Sequence, residues 1–369
     1  MSTRPRVGIV GCGDVAHRWY LPALEALADR AELAACCDPR PEATEAVAHK
    51  VAAWAPDLLT YTELSSMLAE AKLDAIINLT PAPLHGAVSL PCLEAGLHVY
   101  SEKPLAATLD EADRLIETAR EHDRLLLCAP AVAVTRRFQW LAEIVRSGRF
   151  GTLSLGVAHH ADSGPASWRE YTGDPSVFYR EGVGPVIDHG IYRLHGLTML
   201  MGPVRRVQAM GAIGVPERAV RAGPLAGQTI KVTTPDHVLI NLEFASGALG
   251  QLLASFGTAS TLAPWLELHF SNATISFPGV SHAKDAPASI YVDDDSPLGL
   301  EGWIHGLQPP PPPEALPVVE AGAAHFVACL LGEEEPVLTA EHARHVLDVI
   351  LKAYASIANG QSHDTETTF

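Results

Sequence analysis

The chain has 369 residues, 47% hydrophobic and 19% charged, which excludes a disordered segment and points to more than one globular core. Its formal net charge of -17 excludes the clustered cationic surface that nucleic acid or an anionic membrane requires. No apolar run reaches the roughly 18–20 residues that span a bilayer, so no membrane partner is expected.

The first stretch alternates strand and helix patterns. Val7–Val10 is a short apolar run, followed by a glycine turn and a helical stretch to about Arg30. Leu33–Cys37 is the next strand and ends at Asp38, and Ala75–Leu79 ends in Thr80-Pro81. His98–Tyr100 and Leu125–Cys128 complete the series, with helical segments such as Leu109–His122 between strands. This alternation predicts right-handed crossovers and a parallel sheet. After Gly151 the rhythm changes. Leu153–Ala161, Arg206–Ile213, His237–Phe244, Leu249–Thr258, Leu266–Phe270 and Ile290–Val292 read as strands of a largely antiparallel sheet, with Ser246-Gly247 as a hairpin turn. A helix over Pro185–Met201 interrupts them. The prolines Pro309–Pro313 form a stiff connector, and Val319–Leu331 and Ala340–Asn359 have helical periodicity.

Gly11-Cys12-Gly13-Asp14-Val15-Ala16 follows a strand and opens a helix in the form G-x-G-x-x-A. The first glycine permits a tight turn, and the second lets backbone N–H groups approach a pyrophosphate. The helix N-terminus then stabilises the phosphate charge. Asp38 ends the second strand, where a carboxylate accepts hydrogen bonds from ribose hydroxyls and repels a 2′-phosphate. That favours NAD, while Arg40 keeps NADP open because a guanidinium there can hold the extra phosphate. The expected fold is α/β plus α+β. Residues 1–129 form an N-terminal Rossmann domain with a parallel sheet. Residues 130–369 form a largely antiparallel open-sheet domain, with C-terminal helices packing back toward the first. Met1–Arg6 leads straight into a strand without a signal segment. The six cysteines show no C-x-x-C pair, so buried free thiols and a cytoplasmic location are expected.

Three further motifs carry a resemblance. They are Thr80-Pro81-Ala82-Pro83-Leu84-His85, then Ala95-Gly96-Leu97-His98-Val99-Tyr100-Ser101-Glu102-Lys103-Pro104, and Asp188-x-Gly190-x-Tyr192-x-x-His195. In order and spacing the chain resembles the glucose–fructose oxidoreductase / inositol dehydrogenase / MocA family from Val7 to about Asn359. The resemblance implies an NAD(P)-dependent oxidoreductase acting on a hydroxyl of a sugar, cyclitol or derivative, working as a homodimer or homotetramer, with residues 130–369 as the substrate and oligomerisation domain. It places Gly11, Gly13, Asp14, Val15, Asp38 and Arg40 at the cofactor, Thr80, Pro81 and His85 along its nicotinamide half, and Glu102 near the nicotinamide ribose. It brings Lys103 to the reacting hydroxyl, aimed by an unusual Lys–Pro peptide bond. Two alternatives remain: a redox-cycled epimerase, lyase or glycosidase with tightly held NAD, and a non-catalytic NAD-binding sensor.

Asp188, Tyr192 and His195 are spaced i, i+4, i+7 and share a helix face, beside an apolar stripe of Ile187, Ile191, Leu194, Thr198 and Met201. Close approach of cofactor or backbone would explain Gly190 within that helix. The commoner family pattern is D-x-G-x-H-x-x-D; here Tyr192 stands in the histidine slot and His195 in the last. A tyrosine with an unperturbed pKa near ~10 needs a nearby cation to act as a base. Lys103 supplies that charge or carries the proton itself, and Asp188 orients a substrate hydroxyl or holds Lys103 charged. Trp168, with Arg169, Tyr171, Tyr179 and Arg180, lies on the loop before the helix and suits a sugar ring or a carboxylate, with packing an equal alternative. His159-His160 with Asp162 is set aside as a metal site because adjacent strand residues face opposite sides. No metal is expected.

Overall fold

The computed structural model describes residues 4–169, 171, 173–277, 287–293, 299, 301–307 and 317–369. The Pro309–Pro313 connector lies outside them. The chain divides into two units, Met1–Thr135 with Leu316–Leu347, and Arg136–Ala315 with Asp348–Phe369.

In the first unit, β1 (Arg6–Val10), β2 (Glu32–Cys37), β3 (Leu59–Tyr61), β4 (Ala75–Asn78), β5 (His98–Ser101) and β6 (Leu126–Cys128) form a sheet in the order β3-β2-β1-β4-β5-β6. All its pairings are parallel. The central strands are short runs of Val, Ile, Ala and Cys because both faces are covered by helices. The order reverses between β1 and β4. That opens a crevice at their carboxyl ends, where α/β sheets of this topology take ligands. Strand β3 was not foreseen: it is three residues long with two exposed, so no apolar run announces it. Helix Leu109–Glu121 starts where the Thr108 hydroxyl accepts the Glu111 N–H, and it buries Ala112, Leu115, Ile116 and Ala119. Helix Val318–Leu330 belongs to this unit, its Phe326 ring 5.6 Å from that of Tyr100.

The second unit is built on β7 (Leu153–Ala161), β8 (Val204–Ala212), β9 (Glu217–Ala219), β10 (Thr229–Lys231), β11 (His237–Phe244), β12 (Leu249–Ser255), β13 (Leu266–Phe270), β14 (Ala273–Phe277), β15 (Ala288–Val292), β16 (Gly302–Leu307) and β17 (His363–Asp364). Nine of these form one sheet, ordered β16-β15-β14-β13-β7-β12-β11-β8-β17. Among the described residues its pairings are antiparallel except β7 with β12. Strands β14, β16 and β17 add to the predicted set, and only Ser271-Asn272 separates β13 from β14. Gly247 makes the expected β11–β12 turn at φ +86°.

The helix over Pro185–Met201 is not uniform. Val186–Gly190 is π-helical and Ile191–Met201 is α-helical. It lies directly on the sheet. A Cβ added at Gly156 on β7 would fall 2.6 Å from Met201 Sδ, and one at Gly190 would lie 3.3 Å from Ala254 and Leu252 on β12. Sheet side chains and the Pro185 carbonyl, 3.4 Å away, therefore crowd the Gly190 position. The predicted apolar stripe is buried throughout.

Strands β9 and β10 form a separate hairpin, anchored by Arg218, whose guanidinium lies 2.7 Å from the Asp236 carboxylate with both side chains buried. Asp236 also accepts N–H bonds from Gly214 and Val215. Removing one partner of a buried ion pair leaves an uncompensated charge. Asp236→Ala is expected to cost about 3–5 kcal/mol of stability, read from urea unfolding. All six cysteines are free and buried. Among the described residues, no helix is long and apolar enough to cross a membrane.

Candidate active site

The predicted cofactor residues of the first unit gather at the carboxyl ends of β1, β2, β4 and β5. Gly11 sits at φ +95°, and a Cβ there would lie 2.7 Å from the Leu79 carbonyl and 2.8 Å from the Thr80 nitrogen. The protein itself therefore demands a glycine at this turn. Gly13 is different: an added Cβ meets nothing within 4 Å among the described residues, so no contact there explains the missing side chain. A backbone surface left bare beside a helix start is what close approach of a pyrophosphate requires. Asp14 pairs with Arg18 at 3.3 Å, and Val15 is exposed.

Asp38 is buried and strongly held. Its Oδ2 accepts the Cys12 N–H at 3.0 Å, and its two oxygens accept the Arg40 guanidinium at 2.9 and 3.1 Å. Burial alone would raise its pKa, but the hydrogen bonds from Arg40 and Cys12 outweigh that and hold it below the ordinary carboxylate value. Arg40, which keeps NADP open in the sequence, pairs with Asp38 while its side chain stays largely exposed.

Beside this turn a buried network sets the next loops. Asn78 ends β4 fully buried. Its amide donates to His85 O and Ser89 Oγ, and its oxygen accepts the N–H and hydroxyl of Thr80. Pro81 leads into the single turn Ala82–Leu84. The His85 ring is buried, with Nδ1 2.6 Å from Pro104 O and Nε2 2.8 Å from Thr80 O, and burial pushes its pKa down. His85 therefore braces the Thr80 loop against the loop that carries Lys103. The Lys103–Pro104 peptide bond is cis. Glu102 accepts the Tyr20 hydroxyl at 2.8 Å and the Lys103 N–H at 3.0 Å, tying the fingerprint helix to the Lys103 backbone. Asn78 and Tyr20 were missed in the sequence. The one signal available for Asn78 was a polar residue closing an otherwise apolar strand.

In the second unit a separate cluster surrounds a residue that the D-x-G-x-Y reading passed over. His189 Nδ1 lies 3.0 Å from Asp188 Oδ2. Its ring stacks on His160 at 4.1 Å and 3°, meets the edge of Trp168 at 5.3 Å, and lies 6.3 Å from Tyr192. Trp168, Asp188 and Tyr192 are thus brought together around His189. His195 is buried further along the helix. The two histidines of β7 part as expected, His159 Nδ1 going to Pro264 O and His160 Nε2 to within 3.4 Å of Asp162. His160 is buried. Tyr179 is a packing residue, its hydroxyl accepting the Ala166 N–H and its ring 5.8 Å from Phe256.

Burial and the neighbouring His189 push His160 down to about 3, against the pull of Asp162, and burial pushes His342 down to about 4. Both imidazoles are therefore neutral in the folded chain through the mildly acidic range. In the unfolded chain they take up protons near pH ~6.5. Their contribution is complete above that value and is lost as pH falls toward the folded values, at about 1.4 kcal/mol per pH unit for each ring. The urea midpoint is expected to drop between pH 7 and pH 5, and less steeply in His342→Leu.

Comparison with known proteins completes the picture. A family described as "Oxidoreductase family, NAD-binding Rossmann fold" matches residues 5–129, and one described as "GFO/IDH/MocA C-terminal domain" matches residues 138–276. An uncharacterized oxidoreductase of Schizosaccharomyces pombe is 32% identical over 152 residues, 40% of this chain and 39% of that protein. The D-glucoside 3-dehydrogenase of Escherichia coli is 28% identical over 81% of this chain and 82% of its own length. The WlbA dehydrogenase of Bordetella pertussis, solved with NADH and UDP-GlcNAcA, shares the fold with a TM-score of 0.76 and 21% identity, covering 98% of this chain and 99% of that one. The chain spans less than half of the first of these relatives and most of the second. The two family matches fall on the two units that carry the clusters, and the chain belongs to the GFO/IDH/MocA family of oxidoreductases.

Proposed function

We propose that this chain is an NAD-dependent dehydrogenase acting on a ring hydroxyl of a sugar, cyclitol or related carbohydrate. The observation that carries the cofactor half is the contrast between Gly11, which the protein's own packing requires, and Gly13, which nothing in the protein requires. The residues fit a dinucleotide. Gly11, Gly13, Asp14 and Val15 would hold the pyrophosphate, Asp38 the adenosine ribose, and Thr80, Pro81, His85 and Glu102 the surroundings of the nicotinamide half. A 2′-phosphate would meet a carboxylate already committed to Arg40, which favours NAD over NADP. The substrate class rests on the relative named a D-glucoside 3-dehydrogenase and on the Glu102-Lys103-Pro104 motif.

Bound NAD supplies the hydride acceptor. Lys103 brings a positive charge to the substrate oxygen, which favours loss of its proton. Asp188 and Tyr192 orient the hydroxyl, while Trp168 and His195 shape the substrate's surroundings. On the face of the second sheet away from its helix, Met210, Leu239 and Leu253 stand opposite one another on β8, β11 and β12, and Met210 is 75% exposed. We assign that face to a homodimer or homotetramer contact, and the protein to the cytoplasm, where its six thiols stay reduced. Calorimetric titration tests the reading. One saturable NAD site per chain is expected, with NADP binding weaker by about tenfold or more, or ~1.4 kcal/mol. Asp38→Ser narrows that gap. No binding of either nucleotide would sink it.

A further inference from the structure

We propose that Arg193 determines which sugar this chain takes, and that this sugar carries an oxyanion, a carboxylate or a phosphoester, held by the Arg193 guanidinium. The proposal rests on the reading above, in which Tyr192 orients the substrate hydroxyl, and it narrows the substrate class.

Arg193 follows Tyr192 in the first turn of the α-helical segment Ile191–Met201. Both side chains are partly exposed, whereas the next residue, Leu194, is fully buried. Arg193 Nε donates to His159 O on β7 at 3.2 Å, and the guanidinium lies 4.9 Å from the centre of the Trp265 ring. That ring is shared. The Arg137 guanidinium lies 5.5 Å from it and 5.2 Å from the Phe277 ring. Two cations therefore meet on one indole.

Burial pushes the Arg193 pKa down to about 10, with Tyr192 opposing and Arg137 assisting, so the group is still charged at neutral pH. A charge seated this way ordinarily has a carboxylate beside it. The chain has 43 acidic residues against 26 lysines and arginines, yet among the described residues no carboxylate pairs with Arg193. His159 O engages Nε alone, which leaves the Nη1 and Nη2 end of the fork without an acceptor there. The indole adds another donor: Trp265 is 4% exposed, and its buried Nε1 has no hydrogen-bond partner among the described residues.

Packing explains the stem of Arg193 but not its charge. A methionine at 193 would cover the Trp265 ring without bringing a second cation up to Arg137. What the guanidinium alone offers is a planar pair of N–H donors, which matches a carboxylate or phosphate in two parallel bonds. An oxyanion brings negative charge to the two arginines and acceptors to the open end of Arg193. A neutral hydroxymethyl group brings no charge. Because Arg193 follows Tyr192 directly, a sugar presenting a ring hydroxyl to the phenol can extend an exocyclic acid toward the guanidinium.

The test reads a ratio. D-glucuronate and D-glucose 6-phosphate share the ring hydroxyls of D-glucose and differ from it at C6. With NAD saturating, kcat/KM for each acid is compared with that for D-glucose. The unaltered chain is expected to favour one acid by about 10- to 100-fold, the range of charge-assisted hydrogen bonds, and the favoured acid identifies the anion. Arg193→Met is expected to bring the ratio to within about threefold of unity. Arg193→Lys keeps the charge but loses the fork, and should retain part of the preference. A general loss of folding or activity lowers both members of the ratio and leaves it in place. Independent of turnover is the Trp265 indole N–H resonance, assigned by its loss in Trp265→Phe. In the NADH-loaded chain it is expected to move on titration with an acid and to stay in place with D-glucose. A ratio near unity for both acids in the unaltered chain, a ratio unchanged in Arg193→Met, or a resonance indifferent to both acids would each overturn the proposal. If none of the three sugars reduces NAD, the dehydrogenase reading fails on these substrates, and the indole titration alone decides this one.

Discussion

Gly13→Ala is expected to leave the fold intact and to abolish NAD binding, whereas Gly11→Ala is expected to damage both. The two glycines stand in one turn, yet their surroundings differ. At Gly13 an added Cβ meets no atom within 4 Å and the backbone is not in the left-handed region, so the melting temperature should hardly move. The new methyl group would occupy the space over the backbone that the pyrophosphate must approach. A loss of NAD affinity of about 100-fold or more is expected, or ~2.7 kcal/mol and above. At Gly11 the methyl would face the Leu79 carbonyl at 2.7 Å, at a φ of +95°. Backbone atoms cannot swing aside as a side-chain tip can. The turn would have to part from β4, straining the Leu79 N–H bond to Val10 O and the Gly11 N–H bond to Cys37 O. Strained φ and overpacking each cost about 1–3 kcal/mol, so Gly11→Ala is expected to lose several kcal/mol in urea unfolding as well as its cofactor.

The second large effect is expected at Lys103. Lys103→Met keeps the length and apolar stem of the side chain but removes its charge, and kcat should fall by about 10³-fold with NAD affinity within threefold. The backbone that presents Lys103 is secured independently of its ammonium group. Glu102 holds the Lys103 N–H, and His85 and the Asn78 network hold the flanking loops. Loss of stability is therefore not the expected cause. Tyr192→Phe separates the proton carriers. If the phenol takes the proton, this variant should match Lys103→Met; if Lys103 carries it, the loss should stay near the tenfold of one orienting hydrogen bond. Stopped-flow measurement of nicotinamide reduction reads both.

Most of the first unit was legible because its strands are buried on both faces and so read as unbroken apolar runs ending in polar residues. Asp38 and Thr80 were placed by that logic. Strand β3 escaped because an exposed edge strand needs no apolar run. In the second unit, alternation located β7, β11 and β13 to the residue. It could not reveal β14, too close behind β13 to read as a separate strand. The role of Gly190 was open because its neighbours, Leu252 and Ala254, lie far along the chain. The same holds for the candidate site. Its motif residues could be named from their spacing, but the side chains packed around them could not. Asn78, Tyr20, His160 and His189 act through contacts made only when distant segments meet, and no spacing rule encodes a stack between β7 and the π-turn. The partner of Arg40 is of a different kind. Two residues apart at a strand end, Asp38 and Arg40 pair because the chain turns there, and that turn is local.

The central claim is that this chain moves a hydride between a carbohydrate carbon and NAD. Its most direct test is single-turnover reaction with NAD and sugars deuterated at the ring carbons, following absorbance of the reduced nicotinamide and deuterium at its C4. The account predicts reduced nicotinamide carrying deuterium from one ring position, with no signal from Lys103→Met. Tight NAD binding with no deuterium reaching the nicotinamide from any sugar, cyclitol or glycoside would contradict it.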